Sequence, residues 1–467
     1  MIRPVSVAAI GTAFGVVLCA AFWVPVCSDA SEGEPAWKPV LSQSVSVNRV
    51  IDVPEYARPL GSGVSHLDFG LESRWRYESR QNDYSSPALD SDDALVSRSL
   101  LYIGLKEVID PLRFAFELQD ARRFLSDRAP DPRVSDYIEP IQALAQLYFP
   151  QTLAEMPLRL SFGRMTLDAV DRRLITRNRN RNTINTFDGL RLRLGDETKL
   201  WEVESFALRP MLRNVECIKK LDKEADDVSL YGLIGYLREL SPGMVLEPYW
   251  LWLDQRRAPE LALRRNLHTL GLHAYGQWGH SHAWDYDLSV AGQFGEAQSL
   301  KHRAFAAHAE LGHTFIAPYS PRLAAWLNYA SGDKNARDSV DNRFDPLFGA
   351  SYAFYGYTSY FVWQNVVNPS LRFSVQPAKT LRCELIYRAY WLASSVDEWA
   401  RGGNRRDATG RSGSFVGQEL DARVVWQISK HLEMDASYGH FMPGGFVKAT
   451  GAARAAHLLQ VATTLRF

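Results

Sequence analysis

From residue 456 to the end of the chain the side chains alternate: Leu459, Val461, Thr463, Leu465 and Phe467 fall on one face of an extended backbone and Gln460, Thr464 and Arg466 on the other. This is the period of two that a β-strand imposes. The same spacing sets Leu67, Phe69, Leu71, Trp75 and Tyr77 against His66, Asp68, Glu72, Arg74 and Arg76, and Trp284, Tyr286, Leu288, Val290 and Phe294 against Asp285, Asp287, Ser289 and Gln293. A soluble sandwich shows such alternation too, so the connections decide. Tight ones fall near 108–111, 150–156, 196–198, 240–243, 279–283, 316–321, 377–379 and 429–431, and long ones near 79–97, 121–140, 165–186, 209–227, 255–266, 295–303, 331–368, 392–415 and 441–455. Strict alternation of short and long connections is the asymmetry of an outer-membrane barrel, with short periplasmic turns and long outer loops. The pattern predicts an all-β fold, a transmembrane antiparallel β-barrel of about eighteen strands with both termini periplasmic, each strand near the about nine to eleven residues that a tilted crossing needs.

One stretch resists the count. Residues 344–365 carry Tyr352, Phe354, Tyr355, Tyr357, Tyr360, Phe361 and Trp363 and could be scored as another strand, which would leave the C-terminus on the wrong side of the membrane. They are assigned instead to the connection 331–368, then too long and too aromatic for a freely solvated loop. It is expected to fold into the lumen or over its mouth. Asp333, Lys334, Arg337 and Asp345 are its gating candidates, able to pair with charges on the wall.

The N-terminus reads as an address. Arg3 precedes an apolar run over residues 5–26 and then the small polar Ser28-Asp29-Ala30, the layout of a cleaved export signal. The expected division is a signal peptide 1–30, a periplasmic lead-in 31–63 punctuated by Pro35, Pro39, Pro54 and Pro59, and a barrel 64–467. A lipid-modified Cys27 is disfavoured by the bulky Val26 before it. Cys19 and Cys27 leave with the signal, and the distant Cys217 and Cys383 assign no disulfide. Beyond the signal no apolar run reaches the roughly 18 residues of a spanning helix. The 13 Trp, 20 Tyr and 22 Phe suit the headgroup depth of a membrane. Equal basic and acidic counts, 53 and 53, remove any net-charge argument for a nucleic-acid partner.

With the apolar face turned to lipid, the inward set holds Arg74, Arg76, Arg113, Arg159, Arg191, Arg193, Arg372, Arg382, Arg388 and Arg423, accompanied by Asp68, Glu72, Glu117, Asp285, Asp287, Glu384, Glu419 and Asp421. Guanidinium groups in a water-filled tube match carboxylates in bidentate geometry and draw anions through. Interleaved acids and bases can also simply pair with one another, and the two readings can coexist. The run Arg172, Arg173, Arg177, Arg179 and Arg181 is placed on the outer side, where it contacts lipopolysaccharide phosphates, catches an emerging polyanion, or is a solvated loop. His280 and His282 lack a third ligand for a metal. Asp90, Asp92 and Asp93 read as a solvated loop before a cation site. With no nucleophile elbow, metal-protease helix or phosphate-binding glycine loop, the chain reads as a channel rather than an enzyme, a barrel hydrolase being the remote alternative, and no cofactor is implied.

Several motifs occur in a recognisable order. Gly163-Arg164 is followed by Asp171-Arg172-Arg173-Leu174-Ile175 and by Asn185-Thr186-Phe187-Asp188-Gly189-Leu190-Arg191-Leu192. Later come Tyr329-Ala330-Ser331-Gly332-Asp333-Lys334, Phe344-Asp345-Pro346-Leu347-Phe348, Trp363-Gln364-Asn365 and Val416-Gly417-Gln418-Glu419-Leu420-Asp421. In these the chain resembles the alginate export family of outer-membrane porins over nearly all of its mature length. It departs from the family where Met165-Thr166 follows Gly-Arg and in the arginine-rich 172–181. The resemblance implies a channel passing an alginate-like anionic polysaccharide or small anionic solutes, gated by inner loops and a periplasmic turn, with outer-membrane lipids, lipopolysaccharide and the barrel assembly machinery as partners. A general or sugar-acid diffusion porin is the alternative.

Overall fold

The computed structural model describes residues 53–60, 66–85, 91–129, 131–213, 221–241, 243–256, 264–279 and 283–467. The expected signal 1–30, most of the lead-in 31–63, His280, His282 and Asp90 lie outside the described residues. The wall is built from eighteen strands: β1 (Leu67–Gln81), β2 (Ser91–Ile109), β3 (Leu112–Phe124), β4 (Asp136–Phe149), β5 (Leu158–Met165), β6 (Phe187–Leu194), β7 (Trp201–Leu212), β8 (Val228–Arg238), β9 (Met244–Gln255), β10 (Arg265–Trp278), β11 (Trp284–Ala297), β12 (Leu300–Thr314), β13 (Arg322–Ala330), β14 (Val366–Ala378), β15 (Leu381–Trp391), β16 (Phe415–Gln427), β17 (Leu432–Pro443) and β18 (Ala456–Arg466). Each pairs antiparallel with its neighbours in sequence, and β18 closes the sheet on β1 from Glu72↔Arg466 to Gln81↔His457. Closure leaves no unpaired edge, the condition for a sheet to stand in hydrocarbon.

Alternation sorts the side chains as expected. Leu71, Trp75, Phe114, Phe116, Leu233, Leu270 and Phe373 are exposed on the outer wall, whereas their neighbours Glu72, Arg74, Arg113, Glu117 and Arg372 are buried inside. The bilayer covers the first set. Phe467 extends β18: its backbone exchanges two 2.9 Å hydrogen bonds with Leu71, and its ring stacks on His431 at 5.3 Å.

Two expectations change. The connection 295–303 is not a long loop, because β11 and β12 run on to a two-residue turn, Gln298-Ser299. Both turn residues take positive φ, 50° and 73°, the hairpin geometry that matches strand twist. Phe446 does not sit in an open loop either. It is fully buried in a short helix, Gly445–Thr450.

Two outer connections fold inward and fill much of the lumen. Residues 166–186 and 331–365 interlock through their backbones: Phe348 N donates to Leu174 O at 2.8 Å and Ala350 N to Arg172 O at 3.1 Å. At Gly349 a Cβ would meet Arg173 O at 1.8 Å, so only glycine allows the crossing. The aromatic run finds its cover here. Phe361 stacks on Tyr390 of the wall at 3.8 Å and on Trp399 at 5.4 Å, and beside it Tyr360 meets Tyr84, Phe441 and Trp399 edge to face, as Tyr84 meets Phe441. Burial pushes the hydroxyls of Tyr355, Tyr357 and Tyr360 well above their ordinary range, so the segment carries no phenolate.

Candidate permeation site

Beneath the interlocked loops lies a cavity of about 910 Å³. Its lining runs from Glu197 and Gly243 in periplasmic turns to Arg172, Asn180, Ala350 and Phe354 in the loops. Period-two alternation delivers its charges. Arg74 and Arg76 come from β1, Arg98 from β2, Arg372, Arg382 and Arg423 from β14, β15 and β16, and Arg466 from β18. The loop 166–186 adds Arg172, Arg173, Arg177 and Arg179. Against these eleven arginines stand seven carboxylates, Glu55, Glu72, Asp168, Glu197, Glu310, Glu433 and Asp435. Four more carboxylates, Glu78, Asp171, Glu117 and Glu384, stand behind the lining and pair with Arg76, Arg173, Arg177 and Arg382.

Partners differ from one arginine to the next. Arg98 meets Glu72 at 2.8 Å, Arg423 meets Asp435 at 2.7 Å and Arg382 meets Glu384 at 3.2 Å. Arg76 pairs with Glu78 at 2.5 Å. Arg74 is held otherwise: its guanidinium donates to the carbonyls of Arg179 and Arg181 at 3.0 and 2.7 Å and to Asn182 Oδ1 at 3.4 Å, and carbonyls do not cancel its charge. Arg372 lies 4.5 Å over the Trp326 ring with Glu310 at 3.6 Å. The ring face favours the cation without neutralising it.

The other five sequence-predicted arginines face inward but lie outside the cavity lining. Arg113 stacks on Tyr148 at 3.8 Å and Arg159 donates to Gly195 O at 2.6 Å. Arg191 pairs with Glu204 at 2.8 Å, and Arg193 pairs with Glu202. Arg388 bonds Asp421 at 2.9 Å and the carbonyls of Ala353 and Phe354. Pairing with carboxylates thus holds Arg191, Arg193 and Arg388, apart from the arginines that line the cavity.

The placement of 172–181 on the outer surface is corrected. Leu174, Ile175 and Ile184 are buried, and covering them draws the loop inside, where Arg74, Arg76 and Arg98 hold its carbonyls. The gating candidates divide. Asp345 pairs with Arg265 of β10 at 2.5 Å and Asp333 is buried, its N–H donating to Asp397 at 2.8 Å. Lys334 and Arg337 stand on an exposed tip. Asp92 pairs with Arg128 at 3.0 Å. Sequence reasoning missed Arg98, and it put Arg466 on the polar face of its strand without assigning it to the pathway. Arg98 shares its inward face with Val96 and Leu100, which blurs the polar alternation, and only the register Arg74↔Arg98 and Glu72↔Arg466 exposes the cluster.

The profile of the family described as alginate export matches residues 65–460. The chain belongs to the alginate export family. Solved structures similar to this family member include OccD3 (OpdP) of Pseudomonas aeruginosa, at TM-score 0.58 and 12% identity over 88% of this chain and 93% of that one. OccAB2 of Acinetobacter baumannii gives 0.58 and 13% over 87% and 99%, and the outer membrane protein OprD of Pseudomonas aeruginosa 0.58 and 10% over 89% and 97%. At such identities these show the shared barrel fold. No match was found among curated protein sequences. Family and fold together make this an outer-membrane β-barrel of channel type.

Proposed function

We propose that this barrel conducts carboxylate-bearing saccharides across the outer membrane, an alginate-like polymer or its sugar-acid units. The observation that carries the reading is the cavity of about 910 Å³ lined by eleven arginines, among them Arg74 held by carbonyls and Arg372 stacked on a ring. Guanidinium forks match carboxylates in two-point geometry, and a chamber bounded by protein concentrates counter-ions. Arg74 and Arg372 are its central residues, with Arg76, Arg382, Arg423 and Arg466 as paired neighbours. Outward aromatic and aliphatic side chains take the bilayer, Phe467 is offered to the assembly machinery, and the outer loop tips meet lipopolysaccharide.

A second reading, diffusion of single sugar acids, is favoured by the loops that fill the outer half of the lumen, since a polymer requires them to move further than a monomer does. Planar-bilayer recording separates the two. Anion preference in a salt gradient, with block by oligouronates stronger than by glucuronate, is expected for a polymer path; equal block per carboxylate marks the monomer path. A cation-selective or unselective pore would overturn both.

A further inference from the structure

Residues 53–60, the described part of the lead-in, do not stay below the barrel. A turn closed by Ala57 N donating to Pro54 O at 2.9 Å brings Tyr56 and Ala57 inside the wall, where both are buried. Gly70 of β1 makes room, since a Cβ there would meet Ala57 Cα at 2.7 Å. Arg58 and Pro59 then pair with Phe69 and Asp68, which fixes the register of this strap. Its anchor is the Tyr56 hydroxyl, donating to Glu117 at 2.5 Å. Glu117 also accepts from Gln142 and faces Arg177 at 3.4 Å. One residue before the anchor, Glu55 reaches into the cavity and meets Arg179 at 3.0 Å.

Anchor and tip differ in kind. Tyr56 is buried, whereas the side chains of Glu55 and Arg179 keep 69% and 50% of their surface open, within the cavity both line. So exposed a pair is weakly held and screened by salt, and a dissolved carboxylate competes for it. Arg179 beside it, with Arg466 and Arg177 farther off, holds the Glu55 carboxyl below the usual carboxylate range, so the strap presents a charged carboxylate at neutral pH. We propose that Arg179 is an anion-binding subsite of the channel and that Glu55 is its internal ligand, displaced when the carboxylate of a sugar acid takes its place. The proposal rests on the anion-conducting reading above and adds a built-in competitor to it. Tyr56 keeps the strap tethered while Glu55 leaves, so the two occupants exclude each other without the segment unfolding.

The test compares the full mature protein with Glu55→Gln in planar bilayers, using glucuronate as blocker and glucose as neutral control. Glu55 is solvent-exposed, so the variant retains the fold. Its half-blocking glucuronate concentration is expected to fall about two- to fivefold, the range set by an exposed ion pair, with glucose unchanged. In an Arg179→Gln background, Glu55→Gln should then have no effect on block. Glucuronate block identical in parent and Glu55→Gln overturns the internal-ligand proposal while leaving the anion channel standing. The same fall in the Arg179→Gln background also overturns it, because Glu55 then acts as a general charge. Absence of block and of anion preference in the parent overturns the anion-conducting reading and the subsite with it.

Discussion

Charge inside the barrel divides by what stands opposite it. Arg191 and Arg193 face Glu204 and Glu202 with both sides buried, so their charge is cancelled where it stands. Breaking such pairs costs about 3–5 kcal/mol. The Arg191→Gln, Glu204→Gln variant, which removes both charges of one pair, is therefore expected to keep the parent's reversal potential in a salt gradient, whereas Arg191→Gln alone should unfold at lower temperature in detergent. Arg74 and Arg372 have the opposite character, one held by carbonyls and the other over a ring. A unit charge about 8 Å from a permeating ion in water changes its energy by roughly 0.5 kcal/mol, with opposite sign for anion and cation, so replacing both with Gln should lower the anion-to-cation permeability ratio by up to about thirtyfold. Equal reversal potentials for the two double variants would show that pairing does not decide which arginines act. Aromatic residues divide likewise. Phe446 is fully buried, and Phe446→Ala should cost about 3–5 kcal/mol of stability in the inserted protein. Phe467 is 57% exposed on the closing strand, so Phe467→Asp should reduce the yield of folded barrel while leaving the unfolding temperature of the inserted fraction near that of the parent. Heat-modifiable mobility on gels measures both yield and melting.

Strands and loops are unequally legible. A strand declares itself through a side-chain period that needs no partner, so the expected runs and short periplasmic turns recur in the structure, from Asp110-Pro111 to the turn before Leu432. Turn chemistry is harder to read: Gln298-Ser299 takes positive φ at both positions without the Gly or Asn that usually announces it. Hardest is the destination of a loop, which depends on what covers it. The arginines of 172–181 look solvated until Leu174, Ile175 and Ile184 are seen to need burial, and the wall guanidiniums that donate to the loop's carbonyls, Arg74, Arg76 and Arg98, come from strands remote in sequence. The aromatic segment of 331–365 was legible as an inward loop because so many rings cannot stay wet. Within that loop the two parts do different work. Residues 334–339 are exposed, whereas Phe344, Tyr355, Tyr360 and Trp363 are buried. Removing 335–339 should leave single-channel conductance unchanged, and replacing 350–361 with a short Gly/Ser bridge should raise it and sensitise cells to bulky antibiotics. Unchanged conductance in the second variant would place the constriction in another element.

At the scale of the whole molecule, stability hangs on one contact that no neighbour in sequence supplies. Every other wall strand pairs with the strand before or after it, but β1 must find β18, and Arg466 meets Glu72 across 394 positions at 3.1 Å. Until that seam forms, two edges stand open to pairing with other chains. The reciprocal hydrogen bonds between Leu71 and Phe467 fix the register, making Ser73↔Leu465 a hydrogen-bonded pair whose Cα atoms lie about 5.5 Å apart, within disulfide reach. The Ser73→Cys, Leu465→Cys variant should therefore oxidise within the folded barrel. Linking the ends of so long a chain stabilises by roughly 4–5 kcal/mol in the chain-entropy account, so the non-reduced protein should keep its folded gel mobility at temperatures that unfold the reduced form, and dithiothreitol should abolish the difference. The control Ser73→Cys, Thr463→Cys is offset by two residues, about 7–8 Å across the ladder, and should remain reduced. Equal cross-linking in both pairs would mean that β1 and β18 slide past one another, and a seam that slides cannot hold the inward arginines of β1 and β18 around one cavity.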